Sequence, residues 1–518
     1  MFKGPHGVGE LQKLPPIFKS RSEKRTEGKN MQEYKKFVFD VGLTCFASVA
    51  NMLVGFIIII VFGRYLGAND LGLYKMSTTI YGFLILIAGI GIPVAMIKYA
   101  AEFKEEKNKL NQMSSSGIIT SLLIGIIFVV LIYLLSNIFA EIFKMPELSA
   151  LLKILCFGFP FALVSGSFLG LLNGLREMKK YAAGTFLQGI SMLVITLILM
   201  YHGFGIVGAV IGIVLSSGFS CFFLIVISRD YFNFTLEEYT QTSITLLRFG
   251  AKILTANAIN EITNQMDIFL VGFFLLSADV GYYSVAISLS TFFWLIPMSV
   301  QTITFPATSS YWRENNHLDL HKMMDKSMKY CTILLSLAGL TFAFFGKNII
   351  IILFKDEFVP AVLPLHILLI GTLIRGSIAQ PLGGSLSAIG RPDLVMKICA
   401  FMLIINATLD FILIPRIGIV GAAIATTISL SSGATINLYL MIKHLSFEFD
   451  FAWYLKFIGV IILAMIIFAL GTIFVDQMII GGAIFIGYLF LIIRFFLIED
   501  DISLIKHLMY SLKNGGMI

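Results

Sequence analysis

The stretch GIVGAVI at residues 205–211 decides the fold, because it occurs a second time in the chain as GIVGAAI at residues 418–424. Six of the seven residues are identical at an offset of 213. A second match lies upstream at an offset of 209 and pairs four residues of each copy: Gly63, Asp70, Gly72 and Tyr74 with Gly272, Asp279, Gly281 and Tyr283. Two matches at nearly the same offset predict that the chain is an internal duplication.

The composition places this duplicated chain in a membrane. Apolar residues make up 57% of the 518 residues and charged residues 13%, whereas an ordinary soluble protein has about 25% charged residues. The formal charge of +7 comes from Lys and Arg scattered over short loops, which favours a membrane orientation signal over nucleic-acid binding. The five cysteines lie in apolar runs without a CxxC pair, so we expect neither disulfides nor a metal site.

The sequence predicts an all-α integral membrane protein with about fourteen spans, since a bilayer core needs about 20 apolar residues of helix. The spans run near residues 39–62, 77–99, 116–140, 148–172, 182–201, 206–228, 249–275, 281–305, 328–354, 360–386, 394–414, 418–441, 454–475 and 478–497. The repeats begin six spans apart, which predicts two parallel lobes related by an axis along the membrane normal.

The predicted organisation therefore has six segments. They are a polar basic tail at 1–37, a first lobe of helices 1–6 at 38–228, a linker at 229–248, a second lobe of helices 7–12 at 249–442, helices 13 and 14 at 443–498, and a second tail at 499–518. With the N-terminus inside, the inner segments hold 29 basic residues and the outer loops hold seven, among them Arg64 and Lys75. This asymmetry predicts that both termini are cytoplasmic.

Helix 7 carries a polar face inside the predicted membrane. Asn257, Asn260, Glu261 and Asn264 follow helical spacing, and Asp267 lies at the edge of the same face. An ionisable side chain in a bilayer costs at least about 2.5 kcal/mol, so these groups should face protein or water. Two interpretations remain open: a polar seam that packs against neighbouring helices, or the lining of a transport cavity.

Two basic residues also fall within predicted spans, Lys252 in helix 7 and Arg375 in helix 10. The duplication aligns Arg375 with Ala162, so this cation belongs to the second lobe alone. A guanidinium suits a phosphate or a carboxylate. The alternatives are an ion pair of Arg375 with Glu261 or Asp267, and a Lys252 that extends to the inner membrane surface.

Helix 11 has a further polar pair, Asn406 and Asp410, at i and i+4. This spacing suits helix packing, and Asp410 is also a candidate for binding a coupling ion. We expect no catalytic residue and no metal ligand set, because nothing in the chain pairs a nucleophile with a base and no GxxxxGK[ST] motif is present.

Several stretches resemble the multidrug/oligosaccharidyl-lipid/polysaccharide (MOP) flippase superfamily, in particular its polysaccharide biosynthesis or O-antigen flippase (Wzx-like) branch. The resemblance covers about residues 33–500. It rests on GRYLGANDLGLY at residues 63–74, on Gly390-Arg391-Pro392, and on Asn406 and Pro415 followed by GIVGAAIAT at residues 418–426.

The resemblance implies a V-shaped pair of six-helix lobes that moves a polyprenyl-(pyro)phosphate-linked oligosaccharide to the outer face of the cell membrane by alternating access. The implied roles distribute our candidates into three groups. Phosphate would be bound by Arg375, Lys252 and Arg64; glycan or cavity polar groups would be Asn257, Asn260, Asn264, Asn51 and Gln380; a coupling H⁺ or Na⁺ would use Glu261, Asp267 or Asp410.

The same resemblance implies a lipid-linked oligosaccharide and membrane lipids as partners, and an association with glycan polymerase or transferase machinery. Helix bending would occur at four places, namely Gly91 with Pro93, Pro160, Pro297 and Pro381. Two rival functions stay open: a cation or drug antiporter of the MATE type, and a polytopic glycosyl- or acyltransferase. Embedded bases count against the antiporter, and loops no longer than about 20 residues count against the enzyme.

Overall fold

A computed structural model describes residues 21–496, together with their side chains except those of residues 21–41, 43–46, 255–261 and 264. The described chain is almost wholly helical, and no strand is assigned between residues 21 and 496. The first half contains seven helices: α1 (Arg21–Gly89), α2 (Ile92–Glu102), α3 (Lys107–Ile142), α4 (Glu147–Leu155), α5 (Phe159–Gly174), α6 (Met178–Tyr201) and α7 (Gly205–Ser228).

The second half repeats this order and adds two helices at its end. Its helices are α8 (Tyr239–Phe274), α9 (Ser277–Phe292), α10 (Leu295–Arg313), α11 (His317–Phe354), α12 (Val362–Ile378), α13 (Ser385–Ala388), α14 (Pro392–Ile417), α15 (Ile419–Leu445), α16 (Phe451–Gly471) and α17 (Gln477–Phe495). Short 3₁₀ turns at Cys156–Gly158, Asp356–Ala361 and Gln380–Leu382 connect successive helices. The final helix α17 packs on α11 and on α16.

Among residues 21–496, eleven helical stretches are long and apolar enough to cross a membrane, and the bent pair α9 and α10 makes a twelfth. One of these stretches, Ala47–Gly89, has 43 residues, which is about twice the length that one span needs. It is interrupted at Gly67, where φ is 82°. The exact number of fourteen spans stays a prediction.

Several helices begin earlier than the sequence predicted, and α8 and α11 are two examples. Helix α8 starts at Tyr239, inside the predicted linker, and α11 starts at His317 instead of near residue 328. A hydropathy average along the chain does not detect these helix ends, because only one face of the helix is apolar there. In α8 that face includes Leu246, which is fully buried against Ile92 and Met96 of the first lobe.

Three of the helix interruptions coincide with glycine and proline positions expected to bend. The left-handed residues Ile90 and Gly91 separate α1 from α2 just before Pro93. Helices α9 and α10 meet at 42° just before Pro297. The 3₁₀ turn at Gln380–Leu382 contains Pro381. A proline cannot donate the backbone hydrogen bond that would continue the helix, so the break falls on its N-terminal side.

The two lobes meet through a contact that reflects the duplication. A methyl group at Gly72 would overlap the carbonyl oxygen of Ser277, and one at Gly281 would overlap the carbonyl oxygen of Ala68. The offset of 209 converts Ala68 into Ser277 and Gly72 into Gly281. The contact is therefore two-fold symmetric, with each glycine admitting the backbone of the other lobe. We call it the Gly72–Gly281 contact.

Candidate functional site

A cavity of about 700 Å³ lies between the lobes, and we call it the central cavity. The first lobe contributes one side through α1, including Phe56 and Lys75. The second lobe contributes most of the rest through α8, α9, α12, α14 and α15, including Asp267, Arg375 and Asn406. The cavity is thus largely apolar with a few charged groups, as is usual for ligand sites.

Arg375 lines the central cavity from the last turn of α12. Its Nη1 donates to the thioether sulfur of Met402, and its guanidinium carbon lies 5.9 Å from the ring centre of Trp294. The Nε atom is buried without a hydrogen-bond partner. Among the side chains that the structure describes, no carboxylate forms an ion pair with Arg375, Asp267 included.

A sulfur atom and an aromatic ring compensate a buried guanidinium poorly, because the group offers five donors in a fixed plane. The alternative in which Arg375 pairs with Asp267 does not hold in this structure. The arrangement leaves donor capacity for an anion entering the central cavity.

A second polar cluster surrounds Asp267, which is 6% exposed. Its Oδ2 accepts hydrogen bonds from the hydroxyl of Tyr283, at 3.0 Å, and from that of Thr426. Its other oxygen, Oδ1, is buried without a partner. The side chain is therefore held by α9 and α15 while one oxygen stays available.

Asp410 completes the cluster from α14. It is fully buried, and its Oδ2 accepts from Nδ2 of Asn406 at 3.2 Å. Its carboxyl group lies next to that of Asp267, and its Oδ1 also lacks a hydrogen-bond partner. Two neighbouring carboxylates repel each other unless a proton or a cation lies between them. We call Asp267 and Asp410 the acid pair.

Lys75 is a cavity residue that sequence reasoning missed. The sequence placed it in an outer loop, but the helix resumes at Ala68, directly after the kink at Gly67, so Lys75 lies within a helix. It lines both the central cavity and a second cavity of about 410 Å³ in the first lobe. The signal in the sequence was Asn69-Asp70, two residues that favour a helix start and precede Lys75 by less than two turns.

The remaining candidates have different locations. Asn51 lines the first-lobe cavity, and Gln380 lines the central cavity. Lys252 and Arg64 are exposed and do not belong to the lining of either cavity. The side chains of four candidates lie outside the described residues, so their roles stay predictions: Asn257, Asn260, Glu261 and Asn264.

Two duplicated helical lobes, a central cavity between them and embedded charges are the features of a polytopic membrane transporter. The model of the polysaccharide biosynthesis protein family matches residues 37–312, which is more than half of the chain. The chain therefore belongs to the polysaccharide biosynthesis protein family.

Two of the curated relatives come from Haloferax volcanii. The probable low-salt glycan biosynthesis flippase Agl15 is 28% identical over 187 residues, which cover 36% of this chain and 39% of that protein. The probable flippase AglR is 24% identical over 404 residues, covering 75% of this chain and 80% of that protein. The match to Agl15 thus spans well under half of that relative's length.

Among solved structures, the lipid II flippase MurJ in an inward closed conformation superimposes with a TM-score of 0.68 at 18% identity. The match covers 87% of this chain and 98% of that one. This likeness confirms the predicted all-α membrane fold.

Proposed function

We propose that the protein is a flippase that moves a polyprenyl-(pyro)phosphate-linked oligosaccharide across the membrane, and that it is not an enzyme. The observation that carries the proposal is Arg375, a cation in the central cavity with no carboxylate partner among the described side chains. A phosphate would satisfy its unused donors in a bidentate manner. The flippase names of Agl15 and AglR support the same substrate class.

In this proposal the phosphate binds between the two lobes. Arg375 contacts it from the second lobe, and Lys75 adds positive charge from the first lobe, since both line the central cavity. The lipid tail stays in the bilayer, because exposing it to water would cost about 0.8 kcal/mol for each CH₂ group. The lobes then alternate access by rocking about the cavity, as duplicated transporters do.

We also propose that the acid pair couples transport to H⁺ or Na⁺. Each carboxyl group has one buried oxygen without a partner, while its other oxygen accepts hydrogen bonds from Tyr283 and Thr426 in Asp267, and from Asn406 in Asp410. Embedded acids commonly carry the ion in membrane transporters. A bound ion would neutralise the acid pair in one conformation of the transporter and would dissociate from it in the other conformation.

The proposed setting is the cell membrane, with both termini cytoplasmic. The support is the excess of Lys and Arg on one side of the predicted spans. An association with glycan polymerase or transferase machinery belongs to the same proposal. It follows from the need to supply the lipid-linked glycan inside and to consume it outside.

The decisive experiment reconstitutes the purified protein in liposomes with a fluorescent polyprenyl-phosphate-linked hexose and measures its appearance in the opposite leaflet. Arg375→Ala should reduce the transport rate at least about a hundredfold, because removing a charge-assisted bidentate contact costs about 3 kcal/mol. Arg375→Lys should retain part of the rate. Lys252→Ala serves as the matched control, since Lys252 is exposed outside the cavity lining.

Normal transport by a well-folded Arg375→Ala variant would contradict the phosphate role. Transport of ethidium, with no movement of the glycolipid, would instead favour the MATE-type antiporter. Release of a modified sugar product would favour a transferase.

A further inference from the structure

Beside Arg375 lies a smaller cavity of about 180 Å³, distinct from the main space between the lobes, and we call it the side chamber. Its polar lining comes from the second lobe alone and consists of Gln301, Arg375, Gln380 and Asn437. Arg375, Gln380 and Cys399 also line the central cavity, so the two spaces adjoin at these three side chains. A group bound to Arg375 can therefore extend into the side chamber.

The side chamber presents hydrogen-bonding atoms that the protein leaves unused. The Oδ1 of Asn437, a residue that is only 8% exposed, has no hydrogen-bond partner, and neither does Nε of Arg375. Gln380 donates through Nε2 to Oε1 of Gln301 at 2.9 Å. This bond fixes both amides and leaves Nε2 of Gln301 and Oε1 of Gln380 for other partners.

Leaving a buried amide oxygen without a partner costs about 1–3 kcal/mol, so such groups usually mark a bound water or ligand. Packing does not require these amides, as the duplicated first lobe demonstrates. At the offset of 213, Asn437 corresponds to Leu224, Gln380 to Ser167 and Arg375 to Ala162.

In the first lobe two of these positions are filled by buried side chains. Leu224 is fully buried in an apolar cluster, and Ser167 is hydrogen-bonded to Ser121 at 2.7 Å. The same backbone framework thus packs tightly with small or apolar residues. The polar side chamber is an addition of the second lobe.

We infer that the side chamber binds the sugar ring bonded directly to the lipid phosphate and so selects the glycan at its reducing end. The inference rests on the proposed flippase function, since it needs the phosphate at Arg375. Sugar hydroxyls both donate and accept, which matches an amide oxygen on Asn437 and amide groups on Gln301 and Gln380. The side chamber has the volume of about six water molecules at roughly 30 Å³ each. This space accommodates one sugar ring and is too small for two.

The test measures affinity of the purified full-length protein for two probes, farnesyl phosphate and farnesyl phosphate carrying one hexose. Quenching of tryptophan fluorescence reports binding, since Trp294 lines the central cavity beside Arg375. The native protein should bind the hexosyl probe about tenfold more tightly than farnesyl phosphate, a factor that one buried hydrogen bond can supply.

Asn437→Leu introduces the first-lobe residue and should abolish this tenfold preference while leaving the affinity for farnesyl phosphate unchanged. If Asn437→Leu fails to fold, Gln301→Met replaces it in the test. This variant conserves side-chain size and should have the same effect. Thr435→Leu is the matched control, because Thr435 lies on the same helix and is exposed. Arg375→Ala should lose affinity for both probes.

The outcomes separate the two proposals. A native protein that binds both probes equally, or an Asn437→Leu variant that keeps the preference, overturns the side-chamber inference and leaves the flippase proposal intact. Equal loss of both affinities in Asn437→Leu also overturns it, since that pattern indicates a structural role. A native protein that binds neither probe overturns the flippase proposal itself.

Discussion

The two lobes share one scaffold and differ in what they bury. Tyr74 and Tyr283 occupy equivalent positions, yet only Tyr283 faces a carboxylate. At the offsets of 209 and 213, the members of the second-lobe cluster correspond to apolar residues: Asp267 to Ile58, Asn406 to Leu193, Asp410 to Leu197 and Thr426 to Ile213. Ile58 is 3% exposed and belongs to the main apolar core.

This difference separates the scaffold from the chemistry. The features that the lobes share, such as the glycines at their contact, set helix packing and the symmetry axis. The features that only the second lobe has are buried charges and amides, which cost free energy unless they bind something. The first lobe contributes Lys75 to the central cavity where the second has Ser284, so each lobe supplies one cation.

The largest expected effect concerns the acid pair. Asp267→Asn or Asp410→Asn should reduce glycolipid transport in liposomes at least about a hundredfold, because the amide retains the shape and cannot bind a proton or a cation in the same way. The effect should persist at any imposed H⁺ or Na⁺ gradient. The measurement is the initial transport rate with each gradient applied separately.

The matched control is Asp393→Asn, which changes an acid at the exposed start of α14, the helix that carries Asp410. It should transport normally. Full gradient-driven transport by Asp267→Asn would show that the second-lobe cluster is structural, and the functional asymmetry between the lobes would then not include ion coupling.

The second prediction concerns a place where the lobes should respond alike. Gly72→Ala and Gly281→Ala each put a methyl group into the backbone of the opposite lobe. Overpacking of this kind costs about 1–3 kcal/mol, so both variants should lower the melting temperature of the purified protein, and by similar amounts. Gly82→Ala is the control, because nothing lies within 4 Å of a methyl group there. A large loss in only one of the two variants would contradict the two-fold symmetry of the contact.

Much of the helical scaffold could be predicted from the sequence, for two physical reasons. Duplicated glycines at a constant offset reveal equivalent positions, and long apolar stretches reveal spans, because both signals are local. Arg375 and Asp267 stood out since charges within apolar stretches are rare. That Asp410 lies against Asp267 depends on how α8 and α14 pack, which no spacing along the chain encodes.

The residues that sequence reasoning missed share another cause. An amide within an apolar span suits helix packing as well as ligand binding, so Gln301 and Asn437 could not be distinguished from packing residues. Lys75 was assigned to a loop because its surroundings are rich in turn residues. Its helix starts at Ala68, where the stabilising partner is Glu357, 289 residues away.

That partner provides the smallest predicted effect and a further difference between the lobes. Oε1 of Glu357 accepts a hydrogen bond from the backbone N–H of Ala68 at 2.9 Å, so the second lobe caps a first-lobe helix beside the Gly72–Gly281 contact. Among the described side chains, no first-lobe carboxylate accepts a hydrogen bond from the backbone N–H of Ser277, the counterpart of Ala68. Lys144 and Lys355 each have a positive φ and each follow a phenylalanine, so we treat them as equivalent positions. When the lobes are aligned on these two lysines, Glu357 corresponds to Pro146.

Opening the lobes at this contact must break the cap, so Glu357→Ala should favour the open state. A lost helix cap costs about 1 kcal/mol, which corresponds to about a fivefold increase in the open population.

Cys399 reports opening because it lines the central cavity. With the other four cysteines replaced by alanine, an impermeant maleimide added outside cells should label Cys399 about five times faster in Glu357→Ala than in the parent. Glu357→Gln should lie between them, since its carbonyl still accepts the bond without the charge. Asp356→Ala, at the exposed neighbouring acid, should label like the parent. Equal labelling in all four proteins would mean that the cap does not hold the lobes together, and that this difference between them has no part in gating.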